Sequence, residues 1–324
     1  MDFKRDESDA VDIRERLRMF LGAEPAKRIA KLTAGEFGQM TELRMRAGKP
    51  MYIKLAGQEY TLTTEGRAHT ASRDAYHPSA ADISETIERI SQYSFYAFEP
   101  ELCQGYITLP GGHRVGVSGQ AVIENGTVRA WRHISSINFR VAHGVLGCAD
   151  GVLPFLFEAE RMMHTMIISP PGCGKTTLLR DIVRQISDGA EGRPGQTVGL
   201  VDERSEVAGC FNGISQNDIG LRTDVLDGCP KAEGMVMLLR AMSPDVVAVD
   251  ELGGKGDAEA AQAVLTAGVK LLCTAHGNNF DDIKKNPALE GLIGRKIFQR
   301  YIVLSAPGQG SVLDGEGDTL CFQV

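Results

Sequence analysis

Eight residues near the middle of the chain, Ser169-Pro170-Pro171-Gly172-Cys173-Gly174-Lys175-Thr176, have the types and spacing of a loop that holds phosphate. Small residues let successive backbone N–H groups turn inward around an anion, and a helix starting at Lys175 adds the positive end of its dipole. Lys175 then reaches the terminal phosphates of a nucleotide, and the Thr176 hydroxyl is placed to ligate Mg2+. Ser169 stands where the motif usually begins with glycine, and a small residue at negative φ fits there. The expected binding set is Ser169, Pro170, Pro171, Gly172, Cys173, Gly174, Lys175, Thr176 and Thr177, with ATP and Mg2+ as ligands.

Three further stretches end in chemistry. Asp245-Val246-Val247-Ala248-Val249-Asp250-Glu251 is an apolar strand closing on two carboxylates, and a buried strand delivers its last residues to the carboxyl edge of a sheet. Asp250 there joins Thr176 at the metal, while Glu251 orients and deprotonates a water. Val201-Asp202-Glu203-Arg204-Ser205-Glu206 is a second acidic strand end. Its Asp202 and Glu206 either add to the metal and water network or form a solvated charge run. Leu272-Cys273-Thr274-Ala275-His276-Gly277 directs His276 at the γ-phosphate as a sensor, the alternative being a structural histidine. Arginines commonly stabilise charge on a transferring phosphoryl group, often from a neighbouring subunit. Arg222 and Arg240 enter the expected site set, Arg204 and Arg140 are further candidates, and a surface role stays open for each.

These side chains need a frame that brings several strand ends together. Apolar Met166–Ile168 ahead of the loop and Leu178, Leu179, Ile182, Val183 and Ile186 after it read as strand, loop and helix. Further strands are expected at 197–201, 245–249, 271–274 and 301–304, with helices at 175–187, 231–242 and 257–267. Strand and helix in alternation predict a largely parallel sheet covered on both faces. Residues 203–230 show little periodicity and read as a long functional loop. The first part of the chain differs. A helix over about 9–31 precedes short period-two strands at 43–46, 51–55 and 60–62, Ser79 opens a helix with Asp82 in a capping box, and strands return over 105–141. The expected division is an α+β domain at 1–143, a glycine-rich linker at 144–151 and an α/β domain at 152–324.

Composition narrows the class. With 324 residues, 43% of them hydrophobic, the chain can build two cores, and disorder throughout is excluded. The charged start, Met1 to Glu7, leads into no apolar core of a signal peptide, and no window is apolar enough to span a bilayer. A cytoplasmic protein is expected, held at a membrane only through partners. Seven scattered cysteines without a C-x-x-C pair read as reduced thiols. Basic and acidic side chains balance over residues 1–150, 19 of each, so the net charge of −7 falls on the remainder. An acidic nucleotide-binding half argues against nucleic acid as the main partner.

The order of the blocks is itself informative. The phosphate loop, the acidic box at 202–206, Leu239-Arg240-x-x-x-Pro244-Asp245 running into Asp250-Glu251, and Thr274-Ala275-His276-Gly277 together resemble the traffic ATPases of type II and type IV secretion and type IV pili. Arg114-Val115-Gly116-Val117 and Ser136-Ile137-Asn138-Phe139-Arg140 also resemble strands of that family's N-terminal domain, so the likeness spans roughly residues 95 to 305. It implies a RecA-like P-loop core behind a smaller α+β domain, ATP hydrolysis and a hexameric homo-oligomer. The stretches at 169–181 and 201–206 are most similar to a branch of the family concerned with endospore formation, which implies a motor in the mother cell acting on membrane-embedded channel proteins facing the forespore. Two positions depart from the wider family: Asp250 stands where glycine usually precedes the glutamate, and Gly253 where an arginine usually follows it. The larger members' C-terminal domain has no counterpart in the resemblance. A nucleic-acid-stimulated ATPase and a nucleotide-gated scaffold with little turnover remain as alternative readings.

Overall fold

Leu43 and Met45 are buried on one side of strand β1 (Met40–Arg46), while Glu42, Arg44 and Arg46 take the other, the alternation of a sheet packed on one face. β1 belongs to the first of two compact units into which the chain divides after residue 143. The computed structural model describes residues 14–321 apart from 16, 64–65, 70–72, 92–101, 103–104, 143–144, 191 and 255. Around β1 run β2 (Tyr52–Leu55), β3 (Gln58–Thr63), β4 (Gly66–His69), β5 (Tyr106–Leu109), β6 (His113–Glu124) and β7 (Thr127–Arg140). They form an antiparallel sheet in the order β4-β3-β2-β1-β7-β6-β5. β6 and β7 turn through Asn125-Gly126, both at positive φ (52° and 78°), as a tight hairpin turn demands.

Helices α1 (Ala23–Ile29), α2 (Ala34–Gln39) and α3 (Ala80–Ile90) supply Ile29, Phe37, Ile83, Ile87 and Ile90 to the same core as the sheet residues Leu43, Ile53 and Phe139. Ser79 and Asp82 make the expected capping box on α3. The single helix expected over 9–31 does not form. Residues 14–15 and 17–20 are helical, the backbone breaks at Leu21-Gly22, and α1 starts afresh. Pro25 lies in the first turn of α1, where its missing N–H costs nothing, and the Gly22 N–H donates to Thr86 Oγ1 at 3.0 Å. Val11, Ile13 and Gly144, which carried parts of the helix and linker expectations, lie outside the described residues.

The second unit contains β8 (Thr165–Ser169), α4 (Lys175–Asp188), β9 (Val198–Asp202), β10 (Thr223–Asp227), α5 (Lys231–Ala241), β11 (Val246–Val249), α6 (Asp257–Thr266) and β12 (Lys270–His276). Short helices α7 (Phe280–Lys284) and α8 (Glu290–Ile293) follow, then β13 (Arg300–Ala306), β14 (Gln309–Asp314) and β15 (Thr319–Cys321). The sheet order is β10-β9-β11-β12-β8-β13-β14-β15, parallel from β10 to β13 and antiparallel beyond. Every residue of β8, β9 and β11 is buried, because helices cover both faces. Ile167 and Val246 face a core with Leu179, Ile182 and Val183 of α4, while Met166, Ile168 and Val247 face one with Leu238 of α5 and Val264 of α6. Each such side chain contributes about 1.5–3 kcal/mol on burial.

This is the largely parallel α/β sheet the sequence predicts, with two differences. Residues 203–230 are not loop throughout: β10 pairs in parallel with β9 as an edge strand, half-buried, with only Val225 and Leu226 as apolar residues. The antiparallel β14 and β15 extend the other edge. The stretch read as a linker is fastened to α4, since the Ala149 N–H donates to Asp181 Oδ2 (2.8 Å) and Gln185 Nε2 to Asp150 Oδ1 (2.8 Å). Among the described residues no helix is long and apolar enough to cross a membrane.

Candidate active site

Parallel pairing brings the carboxyl ends of β9, β11, β12 and β8 to one edge. Ser169, the last residue of β8, lies directly beside His276 of β12, and Val249 of β11 lies beside both Val201 and Cys273. Asp202, Asp250, Thr274 and the loop after Ser169 therefore emerge together. The loop turns through Gly172 (φ 80°) and Gly174 (φ 86°), and α4 begins at Lys175 with Gly174 as its N-cap in the left-handed region. Pro170 and Pro171 complete the turn, Cys173 Sγ donates to the Ser305 carbonyl at 3.5 Å, and the Thr177 carbonyl accepts from Cys148 Sγ at 3.7 Å.

The first two residues of α4 meet the two acids after β11. Lys175 Nζ donates to Glu251 Oε1 at 2.6 Å, and Thr176 Oγ1 donates to Asp250 Oδ2 at 2.9 Å. Glu251 carries φ 58°, a conformation costing a non-glycine residue of order 1–3 kcal/mol and concentrated at functional sites. Thr274 holds it there: the Glu251 N–H donates to Thr274 Oγ1 at 2.8 Å, the Leu252 N–H to the Thr274 carbonyl at 2.8 Å, and the Thr274 hydroxyl donates to Asp250 Oδ1.

Two more groups converge on the same carboxylate. His276 Nε2 lies 2.9 Å from Glu251 Oε1, and Arg204 Nη1 donates to Oε2 at 2.9 Å. Burial alone would raise the Glu251 carboxyl, but the hydrogen bond and charge of Lys175, with the charges of Arg204 and His276, hold it below the usual carboxylate range. Asp202, Glu203, Arg204, Lys231, Asp250 and Glu251 line one small cleft. Thr176 and Asp250 present two adjacent hard oxygen donors, which fits Mg2+, an ion held by one or two protein oxygens with substrate phosphates supplying others. Among the described residues no cluster of three or more His, Cys, Asp or Glu forms a closed metal cage.

Asp202 is the innermost acid, fully buried at the end of β9. Its carboxylate accepts the N–H groups of Glu206, Val207 and Ala208 at 2.8, 3.0 and 2.8 Å, so both oxygens are taken by the following loop, and burial pushes the carboxyl above its usual range against those bonds. The Glu206 carbonyl accepts from Arg180 of α4 at 2.8 Å. Arg222 and Arg240 are elsewhere. Arg222 immediately precedes β10, and its guanidinium donates to the Ser187 carbonyl (2.9 Å) at the far end of α4 from Thr176. Arg240 lies exposed in the last turn of α5, which leads into the opposite edge of the sheet. Neither is brought to the Lys175–Glu251 pair within this chain. Arg204 is. The sequence left Thr274 and Lys231 without roles; a hydroxyl directly after the apolar run Leu271-Leu272-Cys273 is the signal for Thr274, whereas the pairing of Lys231 with Glu203 reaches across β10 and left no local trace.

The fold is that of solved traffic ATPases. The ATPase DotB of Legionella pneumophila superposes with a TM-score of 0.52 over 85% of this chain and 77% of its own, at 14% identity. The pilus retraction motor PilT with bound ADP gives 0.52 over 88% and 80%, at 16% identity. The core is thus RecA-like, and a smaller sheet domain precedes it in the sequence. In sequence, the chain is 41% identical to stage III sporulation protein AA of Bacillus subtilis (strain 168), across 90% of this chain and 92% of that protein. The family model described as sporulation stage III, protein AA, matches residues 12–319. With the match running through both units, the chain belongs to the stage III sporulation protein AA family.

Proposed function

We propose that this protein is a Mg-dependent ATPase that works as an oligomeric motor for a secretion-like channel complex in endospore formation. One observation carries the reading: the first two residues of α4, Lys175 and Thr176, stand within hydrogen-bond distance of Glu251 and Asp250 from a different strand. The amides from Gly172 to Thr177 cradle the β- and γ-phosphates, and Lys175 turns from Glu251 to those oxygens. Thr176 and Asp250 would hold Mg2+, which would neutralise charge on the phosphate oxygens. Glu251, released by Lys175, accepts a proton from the attacking water, and His276 beside it senses the terminal phosphate. Asp202 and Glu206 keep the loop after β9 in place instead of contacting the metal. Arg222 and Arg240, distant from the Lys175–Glu251 pair of their own chain, would act on a nucleotide only from a neighbouring subunit.

The proposed assembly is a hexamer in the mother-cell cytoplasm that engages membrane-embedded channel proteins; membership of a sporulation stage III family supports the developmental setting, and the fold shared with a pilus motor supports the motor role. The direct Lys175–Glu251 pair keeps the base neutralised until a nucleotide draws the lysine away. Lys175→Ala tests the core of the reading. The variant loses ATP turnover and Mg-ATP binding measured by calorimetry, and full turnover in it would refute the assignment.

A further inference from the structure

The Glu251 carboxylate is shared by a lysine and an arginine, one on each oxygen. Lys175 comes from the phosphate loop and holds Oε1, and Arg204 comes from the loop after β9 and holds Oε2. Their separation is therefore no more than two hydrogen bonds and the width of one carboxylate. Anything anionic that Lys175 receives in place of Glu251 comes within reach of Arg204.

The backbone that carries Arg204 is anchored on each side. Asp202 is tied to the amides of 206–208, Glu203 pairs with Lys231 of α5, and the Ser205 hydroxyl donates to Asp227 of β10. The Arg204 side chain itself is 62% exposed, so its guanidinium can swing while its root stays fixed. A guanidinium fork matches phosphate oxygens as well as it matches a carboxylate, and a terminal phosphate carries more charge than Glu251. With the loop amides and Lys175 on one side of a bound terminal phosphate, its remaining oxygens would face Arg204.

We propose that Arg204 reads the terminal phosphate: its guanidinium exchanges Glu251 for the γ-phosphate of a bound nucleoside triphosphate, and this exchange frees Oε2 toward water. The proposal rests on the reading of this edge as an ATP site. A diphosphate ends short of Arg204 and leaves the Arg204–Glu251 pair in place. The chain therefore distinguishes ATP from ADP through a residue of the same subunit, and it couples that discrimination to release of its own base.

Calorimetric titration of the full chain with Mg-ADP and with the β,γ-imido analogue of Mg-ATP tests this. Arg204→Ala keeps the ADP affinity of the parent, and its triphosphate affinity falls roughly tenfold or more, the loss of one charged hydrogen-bond partner. Arg204→Lys recovers part of the difference. Glu251→Gln, which weakens the competing anion, raises triphosphate affinity, and the rise disappears in the double variant with Arg204→Ala. Equal loss for both nucleotides in Arg204→Ala, or no loss for either, overturns the role of Arg204 alone. A parent protein that binds neither nucleotide overturns the underlying reading as well, and that outcome is visible before any variant is made. Unchanged melting of Arg204→Ala, expected from its exposed side chain, confirms that the comparison is between folded proteins.

Discussion

Replacing Thr274 with valine removes a single hydroxyl at nearly constant volume from the strand that steadies both acids. Thr274 is fully buried, donates to Asp250 and accepts the Glu251 N–H. Valine leaves that N–H without its partner inside the protein, at about 1–3 kcal/mol, and withdraws a hydrogen bond from a charged acceptor, at about 1.5–3 kcal/mol. Asp250 keeps Thr176, so the lower part of the range applies to it, and a total near 3 kcal/mol is expected. For a unit of this size that is roughly 6–12 °C in the melting temperature, read by scanning calorimetry as a shift confined to the transition of the second unit. ATP turnover falls as well, since Glu251 at φ 58° loses the bond that holds it there. Thr274→Ser, which keeps the hydroxyl and removes one methyl, costs only about 1 kcal/mol and retains activity. A valine variant that melts with the parent and turns over ATP at the parent rate would show that Thr274 is ordinary core and does not position the acids.

Two other perturbations test the frame. His164 is half-buried beside Lys270 and accepts the Leu271 N–H on Nδ1, and burial first, then Lys270, lowers its imidazole from 6.5 to about 4. Protonation thus favours the unfolded chain: the full stability is present above about pH 6.5 and is lost progressively down to about pH 4, with a loss of about 1–2 kcal/mol once solvent screening of the half-exposed ring is counted. His164→Asn keeps an acceptor without a titrating proton, and urea unfolding across that window shows the step in the parent and not in the variant. Asp202→Ala orphans three amides at about 1 kcal/mol each and loosens the loop they belong to. Limited proteolysis then cuts between 203 and 222 faster than in the parent, and an unchanged cleavage pattern would contradict the anchoring role.

What could be read from the sequence was what neighbouring residues decide. The strand, loop and helix around Gly172 and Lys175 depend on small residues and apolar spacing within about 25 residues, and β8 and α4 follow that pattern to within a residue. Asp250 and Glu251 were legible for the same reason, at the end of a run of buried valines. Contacts that depend on register between distant strands were not. Thr274 acquires its role because Cys273 pairs with Val249, and Arg204 reaches Glu251 only because β9 lies beside β11. β10 escaped because an edge strand needs little apolar surface, and the break at Gly22 because Leu17, Leu21 and Ile29 keep a continuous apolar pattern across it. Arg222 and Arg240 show the converse, residues of the right type that the topology carries away from the Lys175–Glu251 pair of their own chain.

The sheet order also has a bearing on how the molecule comes into being. β8 is the first major strand of its unit to be synthesised, yet it lies between β12 and β13, with Thr165 paired to Leu272 on one side and Arg300 on the other. During translation it stays unpaired until residues 272–303, its partners on both sides, have left the ribosome. The candidate site at this strand edge is therefore among the last features to be completed, and a nascent chain stalled before residue 270 carries the 169–176 loop sequence without the strands that flank it.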